Sequence, residues 1–132
     1  MAERGYTPVS VVSIFKNKRL PAGESGTSDI IDLRFRAQNG YFALSQVTKA
    51  GTYGSAGTTV FTYLESPTED GVFRAPISAV AIGTASTAGL SGTTTFTFEP
   101  ELTPFMKIVA TQTGTGTAGA DSLISSADLI VQ

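Results

Sequence analysis

Short apolar runs separated by turn residues organise this chain. Val9–Phe15 (VSVVSIF) is β-branched, preceded by Pro8 and followed by Lys16-Asn17-Lys18-Arg19, and predicts a first strand. Leu20–Gly26 (LPAGESG) holds one Pro and two Gly and predicts a loop. In Ser28–Arg36 (SDIIDLRFR), Ile31, Leu33 and Phe35 point one way; Ile30, Asp32, Arg34 and Arg36 point the other. That alternation predicts a strand with one core face and one largely polar face. Asn39-Gly40 is a type I′ hairpin signal, and Tyr41–Thr48 (YFALSQVT) is the returning strand with Phe42 and Leu44 inward.

The same reading continues to the C-terminus. Residues 49–58 (KAGTYGSAGT) predict a Gly-rich loop carrying Tyr53, and Thr59–Glu65 (TVFTYLE) the next strand. Ser66–Gly71 predicts a turn, tightest at Asp70-Gly71, followed by a short strand, Val72–Arg74, broken at Pro76. Ile77–Ile82 (ISAVAI) predicts an apolar strand and Gly83–Gly92 an uncharged loop. Thr93–Phe98 (TTTFTF) predicts a strand with Phe96 and Phe98 on one face. Phe105–Thr111 (FMKIVAT) predicts a strand buried on both faces for most of its length. Gly114–Gly119 reads as a loop and Ala127–Val131 as the last strand.

No window holds a helical period over three turns. The nearest is Gly119–Leu129, where Leu123, Ile124 and Ala127 could share a face, but Ser125-Ser126 and the short length argue against it. The expectation is therefore all-β: an antiparallel β-sandwich or jelly roll of eight or nine short strands. A length of 132 residues fits one domain over residues 1–132, with 1–8 as an N-terminal arm. Strand order does not follow from the pattern.

Composition supports the β reading and narrows the function. Thr, Ser and Gly make up 46 of the 132 residues, too many for a helical bundle. Charged residues are only 15%, which suits a surface packed against neighbours. Net charge is −2, so the balance suggests no direct contact with nucleic acid. The charge is uneven: residues 1–60 sum to +3 and residues 61–132 to −5. Complementary fields of that kind could steer head-to-tail association; the plainer reading interleaves the two halves in one sandwich and cancels the asymmetry in space. With no Cys, neither disulfides nor Cys-ligated zinc enter, and the fold rests on its core or on oligomerisation. The N-terminus lacks a signal-peptide h-region and no apolar run is long enough to span a bilayer. Synthesis in a host cytoplasm, with no membrane partner, is expected.

The absence of His removes the usual triad base and the commonest metal ligand. What remains is carboxylate chemistry at Glu65, Glu69 and Asp70, or at Glu99 and Glu101. Both groups read more simply as exposed turns than as a glycosidase pair. A calcium site using Ser66–Asp70, or Asp29 with Asp32, lacks the spacing of a dedicated loop. Gly114-Thr115-Gly116 opens no helix and so offers no phosphate cradle. The chain is read as no enzyme, with no catalytic residue, cofactor or metal. Lys16, Lys18 and Arg19, with Arg34 and Arg36 nearby, could touch nucleic acid or an acidic neighbour; protection of a sheet edge is the plainer role. Of the tyrosines, Tyr41 and Tyr63 read as in-strand packing. Tyr6 in the arm and Tyr53 in its loop are the exposed contact candidates, and the absence of Trp counts against a sugar platform.

Leu20–Leu33 (LPAGESGTSDIIDL), Gly40–Val47 (GYFALSQV), Phe98–Gly116 (FEPELTPFMKIVATQTGTG) and the closing Ala127–Gln132 (ADLIVQ) together resemble small virion proteins of tailed bacteriophages, some of which decorate or cement the capsid. The resemblance carries over no functional residue. It implies a β-sandwich or jelly-roll subunit in the virion that decorates or stabilises a capsid or tail, with copies of itself and a major capsid or other virion protein as partners. The alternatives are a carbohydrate- or receptor-binding module and an extracellular filament subunit.

Overall fold

The computed structural model describes residues 10–21, 23–34, 42–50, 58–76, 81–86, 94–99, 104–113 and 122–131. Among them are nine strands and no helix: β1 (Ser10–Pro21), β2 (Ser25–Thr27), β3 (Ile31–Asp32), β4 (Phe42–Ala50), β5 (Thr58–Ser66), β6 (Gly83–Ser86), β7 (Thr94–Phe98), β8 (Phe105–Gln112) and β9 (Ser122–Val131). All pair antiparallel in two sheets. One runs β1-β9-β4-β7; the other runs β2-β8-β5-β6, with β3 also on β8. The all-β antiparallel sandwich expected from the sequence is the fold observed.

The pairing is nested. β1 pairs with β9, β2 and β3 with β8, β4 with β7, and β5 with β6. The chain is thus one long antiparallel ribbon with its tip between β5 and β6, rolled so that successive pairs fall in alternate sheets. β2 and β3 lie end to end along β8, and Ser28 bridges the gap between them. Its backbone N–H donates to the Ile108 carbonyl at 2.9 Å, and Ile108 N–H donates back to Ser28 Oγ at 2.9 Å. A side-chain oxygen replaces the missing ladder acceptor, so the interruption leaves no orphaned amide on β8.

The inner faces of both sheets supply one core. Phe15 and Leu20 of β1, Phe42 and Leu44 of β4 and Leu129 and Val131 of β9 meet Phe61 and Tyr63 of β5 and Met106, Ile108 and Ala110 of β8. Aromatic rings tie the layers together: Phe61 lies 6.4 Å from Phe96, and Tyr63 5.8 Å from Phe98, across the sandwich. Within the first sheet, Phe42 stands 5.5 Å from its register partner Phe98. Gln112 is a buried polar link at one end of this core, its Nε2 donating to the Leu20 carbonyl at 2.9 Å. Gln112→Met keeps the volume and removes that donor. Chemical denaturation should register a loss of about 1 kcal/mol, because the Leu20 carbonyl loses its amide donor while methionine also removes the buried Oε1, which has no partner among the described residues.

Several boundaries differ from expectation. Lys16–Arg19 does not end the first strand. β1 runs on to Pro21, keeping its pairing with β9 through register shifts between Ser13 and Phe15 and between Phe15 and Lys18. Leu20 therefore belongs to the strand and is fully buried, and the predicted loop shrinks to a turn closed by Glu24 N–H donating to the Pro21 carbonyl at 3.0 Å. In Ser28–Arg34 the predicted faces hold, with Ile31 and Leu33 buried and Ile30 exposed, but only Ile31–Asp32 is paired. Val72–Arg74 reduces to a single bridge between Glu65 and Arg74. Of the apolar strand expected over 77–82, residues 77–80 lie outside the described residues; Ile82 is buried and its N–H donates to the Phe61 carbonyl at 2.7 Å, and β6 pairs with β5 from Gly83, inside the predicted loop. β8, although central, alternates. Met106, Ile108, Ala110 and Gln112 are buried, whereas Lys107, Val109 and Thr111 are half-buried, on a face where the Phe73 ring centroid lies 4.4 Å from Lys107 Nζ and, among the described residues, no second sheet packs. β9 starts five residues earlier than predicted. The Asn39-Gly40 turn, the arm and the loop cores at 51–57, 87–92 and 114–119 lie outside the described residues.

Candidate interaction surface

β1 is an edge strand of the first sheet, and the basic cluster lies along it with Lys16, Lys18 and Arg19 all exposed. The strand bulges here. Asn17 adopts a left-handed backbone (φ 51°), its N–H donates to Ser126 Oγ at 2.9 Å, and Ser126 Oγ donates to Asn17 Oδ1 at 3.3 Å. Asn tolerates this conformation better than most residues. Asn17→Val is expected to destabilise by about 1–2 kcal/mol in urea titration, since a β-branched side chain suits that backbone badly. Asn17→Gly should lose less, because it keeps the backbone and gives up only the side-chain contact.

The bulge opens a shallow depression of about 390 Å³ between β1, β9 and β4, lined in part by Ser13, Lys16, Ser45, Val47, Ser126 and Asp128. Lys18 leans the other way. A Cβ built on Gly26 of β2 would stand 2.8 Å from Lys18 Cε and 3.1 Å from Leu20 Cδ2, so the lysine stem lies across the gap between the sheets. The edge is thus irregular, cationic and partly roofed, all features that discourage a foreign strand from pairing.

Arg34 does not join this cluster. It sits at the opposite end of β8, its guanidinium 4.9 Å from the Phe105 ring centroid, whereas Gly26 under Lys18 pairs with Ala110. Those positions are roughly 17 Å apart along the strand. Arg34 is paired with Asp32: Nε and backbone N–H donate to Asp32 Oδ1 at 3.1 and 3.0 Å, and Nη2 donates to Oδ2 at 2.8 Å. That hydrogen bonding, helped by the charges of Asp32 and Glu69, raises the Arg34 pKa above its ordinary value. Arg36, Tyr6 and Tyr53 lie outside the described residues, so no spatial relation links them to the β1 edge.

Of the carboxylates read as exposed turns, Glu69 and Asp70 do lie in one, but Glu65 belongs to β5 and is half-buried, with its Oε2 beneath the surface. Glu69 and Asp70 are exposed in a turn pinned by Ser66 Oγ donating to the Thr68 carbonyl at 2.6 Å and by Gly71 N–H donating to the same oxygen at 3.3 Å. Glu65 is tied to Arg74 through reciprocal backbone bonds of 2.9 and 3.0 Å. Glu99 is exposed beyond β7, and Glu101 lies outside the described residues. Among the described residues, no group of three or more His, Cys, Asp or Glu is placed to hold a metal ion. Tyr63 is buried in the sandwich, as in-strand packing requires.

Two features escaped the sequence reading: the bulge at Asn17 and, among the described residues, the low charge on the outward positions of the inner strands β4, β9, β5 and β8. The first had a faint signal, an Asn between two lysines in an otherwise extended run. The second needed the register. Opposite the buried positions of the inner strands stand Ala43, Ser45 and Val47; Ser126, Asp128 and Ile130; Val60, Thr62 and Leu64; and Lys107, Val109 and Thr111. Only Asp128 and Lys107 in that set carry charge.

These features define an antiparallel β-sandwich with one barricaded edge and two weakly charged outer faces. No family model and no curated protein matches the chain. Its fold is similar to that of a chain in the structure of infectious bursal disease virus, Gt strain: the TM-score is 0.50 at 13% identity, over 97% of this chain and 34% of that one. A chain of the Gx strain of the same virus gives 0.46 at 13% identity, over 93% and 31%. This chain therefore spans about a third of the length of those viral chains. The likeness is one of fold.

Proposed function

We propose that this chain is a virion structural protein that decorates or stabilises the capsid, or the tail, of a tailed bacteriophage through contacts between subunits. The observation that carries the reading is the chemistry of the outer sheet faces. A face that stays in water is usually studded with charge, while Ala43, Val47, Ile130, Val60, Leu64 and Val109 sit outward among serines and threonines. Burial of such a face against neighbours is favourable and desolvates few ions. The nested ribbon winding favours a jelly-roll reading, an architecture of viral capsid and lectin domains, and the fold similarity to the Gt-strain viral chain supports it. The tailed-phage assignment draws on the resemblance of Leu20–Leu33, Gly40–Val47 and Phe98–Gly116 to small phage virion proteins.

Mass spectrometry of purified particles produced by the genome that carries this gene tests the proposal. The protein should be present in many copies per particle, and absence from washed virions would overturn the reading. A second reading, a glycan-binding module, draws on the hydroxyl-rich depression at Ser13, Ser45, Ser126 and Asp128. The Phe15 ring beside it is buried and offers no stacking platform. A glycan array that lights up and goes dark on Asp128→Ala would favour that reading over a purely structural one.

A further inference from the structure

The edges of the two sheets are closed in different ways. β1 carries bulges, a left-handed Asn17 and three cations. On the other sheet, β2 and β3 present only three and two paired residues, and β6 only four. β7 has no charge, no Pro, no Gly and no bulge. Thr94–Phe98 pairs with β4 in unbroken register, from Gln46↔Thr94 to Phe42↔Phe98. Among the described residues, nothing pairs with its other side. Thr95 and Thr97 are exposed on the outer face, while Phe96 and Phe98 are only half-buried on the inner one.

We propose that β7 is a homotypic docking edge, where the same strand of a second copy pairs antiparallel about Phe96 and continues the β1-β9-β4-β7 sheet across two molecules. The inference rests on reading this chain as an oligomeric subunit and names one of its contacts. Thr-Thr-Phe-Thr-Phe is self-complementary in this register. Phe96 meets its own counterpart, Thr95 meets Thr97 of the second copy, and Thr94 meets Phe98. Cross-strand pairs of β-branched and aromatic residues are favourable, and the inner-face pairs cover ring edges that the monomer leaves open. No charge is set against a like charge, because the two copies of Glu99 lie at opposite ends of the pair. A second copy is the favoured occupant because the complementarity is present within this one strand. The two-fold axis closes the contact as a dimer, so the open edge does not propagate. A five-residue strand pair is smaller than a standard stable interface. The isolated dimer is therefore weak and gains strength when other contacts already hold copies together.

Sedimentation equilibrium of the full chain over rising concentration tests this, with two double variants. Wild type should show a monomer–dimer equilibrium. T95K/T97K sets lysine against lysine at both Thr pairs and should weaken the dimer at least tenfold. T95K/T97E sets lysine against glutamate in the same register and should restore association to the wild-type level or beyond. Both positions are exposed, and circular dichroism checks that the fold is kept. A wild type that stays monomeric throughout would overturn the proposal. So would an oligomer that T95K/T97K leaves intact, although the virion reading, tested on particles, would survive that result. Dissociation by the first variant without recovery in the second would overturn the pairing about Phe96.

Discussion

Phe61→Ala is expected to destabilise this protein by about 3–5 kcal/mol, a large part of the roughly 5–15 kcal/mol available to a domain of this size. Phe61 is fully buried in the middle of β5. Its strand neighbours are Ala110 on β8 and Gly83 on β6, and the Phe96 ring faces it from the opposite sheet at 6.4 Å. Both strand neighbours are small, so neither can swell into the void. The loss therefore combines the transfer free energy of the ring with the cavity it leaves. Denaturant titration should show the midpoint falling at a nearly unchanged slope; a drop below about 1.5 kcal/mol would mean the site collapses more readily than this packing allows. Phe61→Leu, which keeps most of the volume, should lose distinctly less.

Gly83→Ala should destabilise the protein by about 1–3 kcal/mol. A Cβ at Gly83 would stand 2.5 Å from Cδ1 and Cγ of Phe96 and 2.7 Å from Cε1. The clash is with the root of a ring wedged between sheets, so rotation of a side-chain tip cannot relieve it. Either Phe96 leaves its rotamer or β6 separates from the opposite sheet. Phe96→Leu should partly rescue the alanine variant, and a double-mutant cycle should show the two changes to be strongly non-additive. Strict additivity would place the cost of alanine at Gly83 in the backbone rather than against the ring. The backbone of β6 can approach Phe96 closely only where it has no side chain, and in this segment that residue is Gly83.

The edges of the sandwich bear on assembly as much as its faces do. Lys16, Lys18 and Arg19 stand exposed on a bulged edge strand, a setting of the kind that discourages strand addition. β7 lacks such protection. The contrast gives a polarity to the first sheet, closed at one edge and open at the other, that composition and net charge do not reveal.

Wherever alternation was clear, the face assignments could be read from sequence. Phe42 and Leu44 are inward, Ile31 and Leu33 are buried while Ile30 is exposed, and Phe96 and Phe98 share a side. These directions follow locally because side chains in a strand alternate with a period of two, whatever the strand pairs with. The turn at Ser66–Gly71 was legible for a similarly local reason, since its hydrogen bonds join residues within a few positions of one another. The sequence by itself determined the all-β class, most strand positions and the absence of any His or Cys chemistry. Only the tertiary structure decided the nested strand order, the extension of β1 past its charged residues, the close approach of Gly83 to Phe96 and the difference between the β1 and β7 edges. Each of these depends on partners distant in the chain: β9 carrying β1 through its bulges, Phe96 excluding a side chain at residue 83, β4 occupying only one side of β7. Local pattern sets which way a side chain points, but it does not encode what stands opposite.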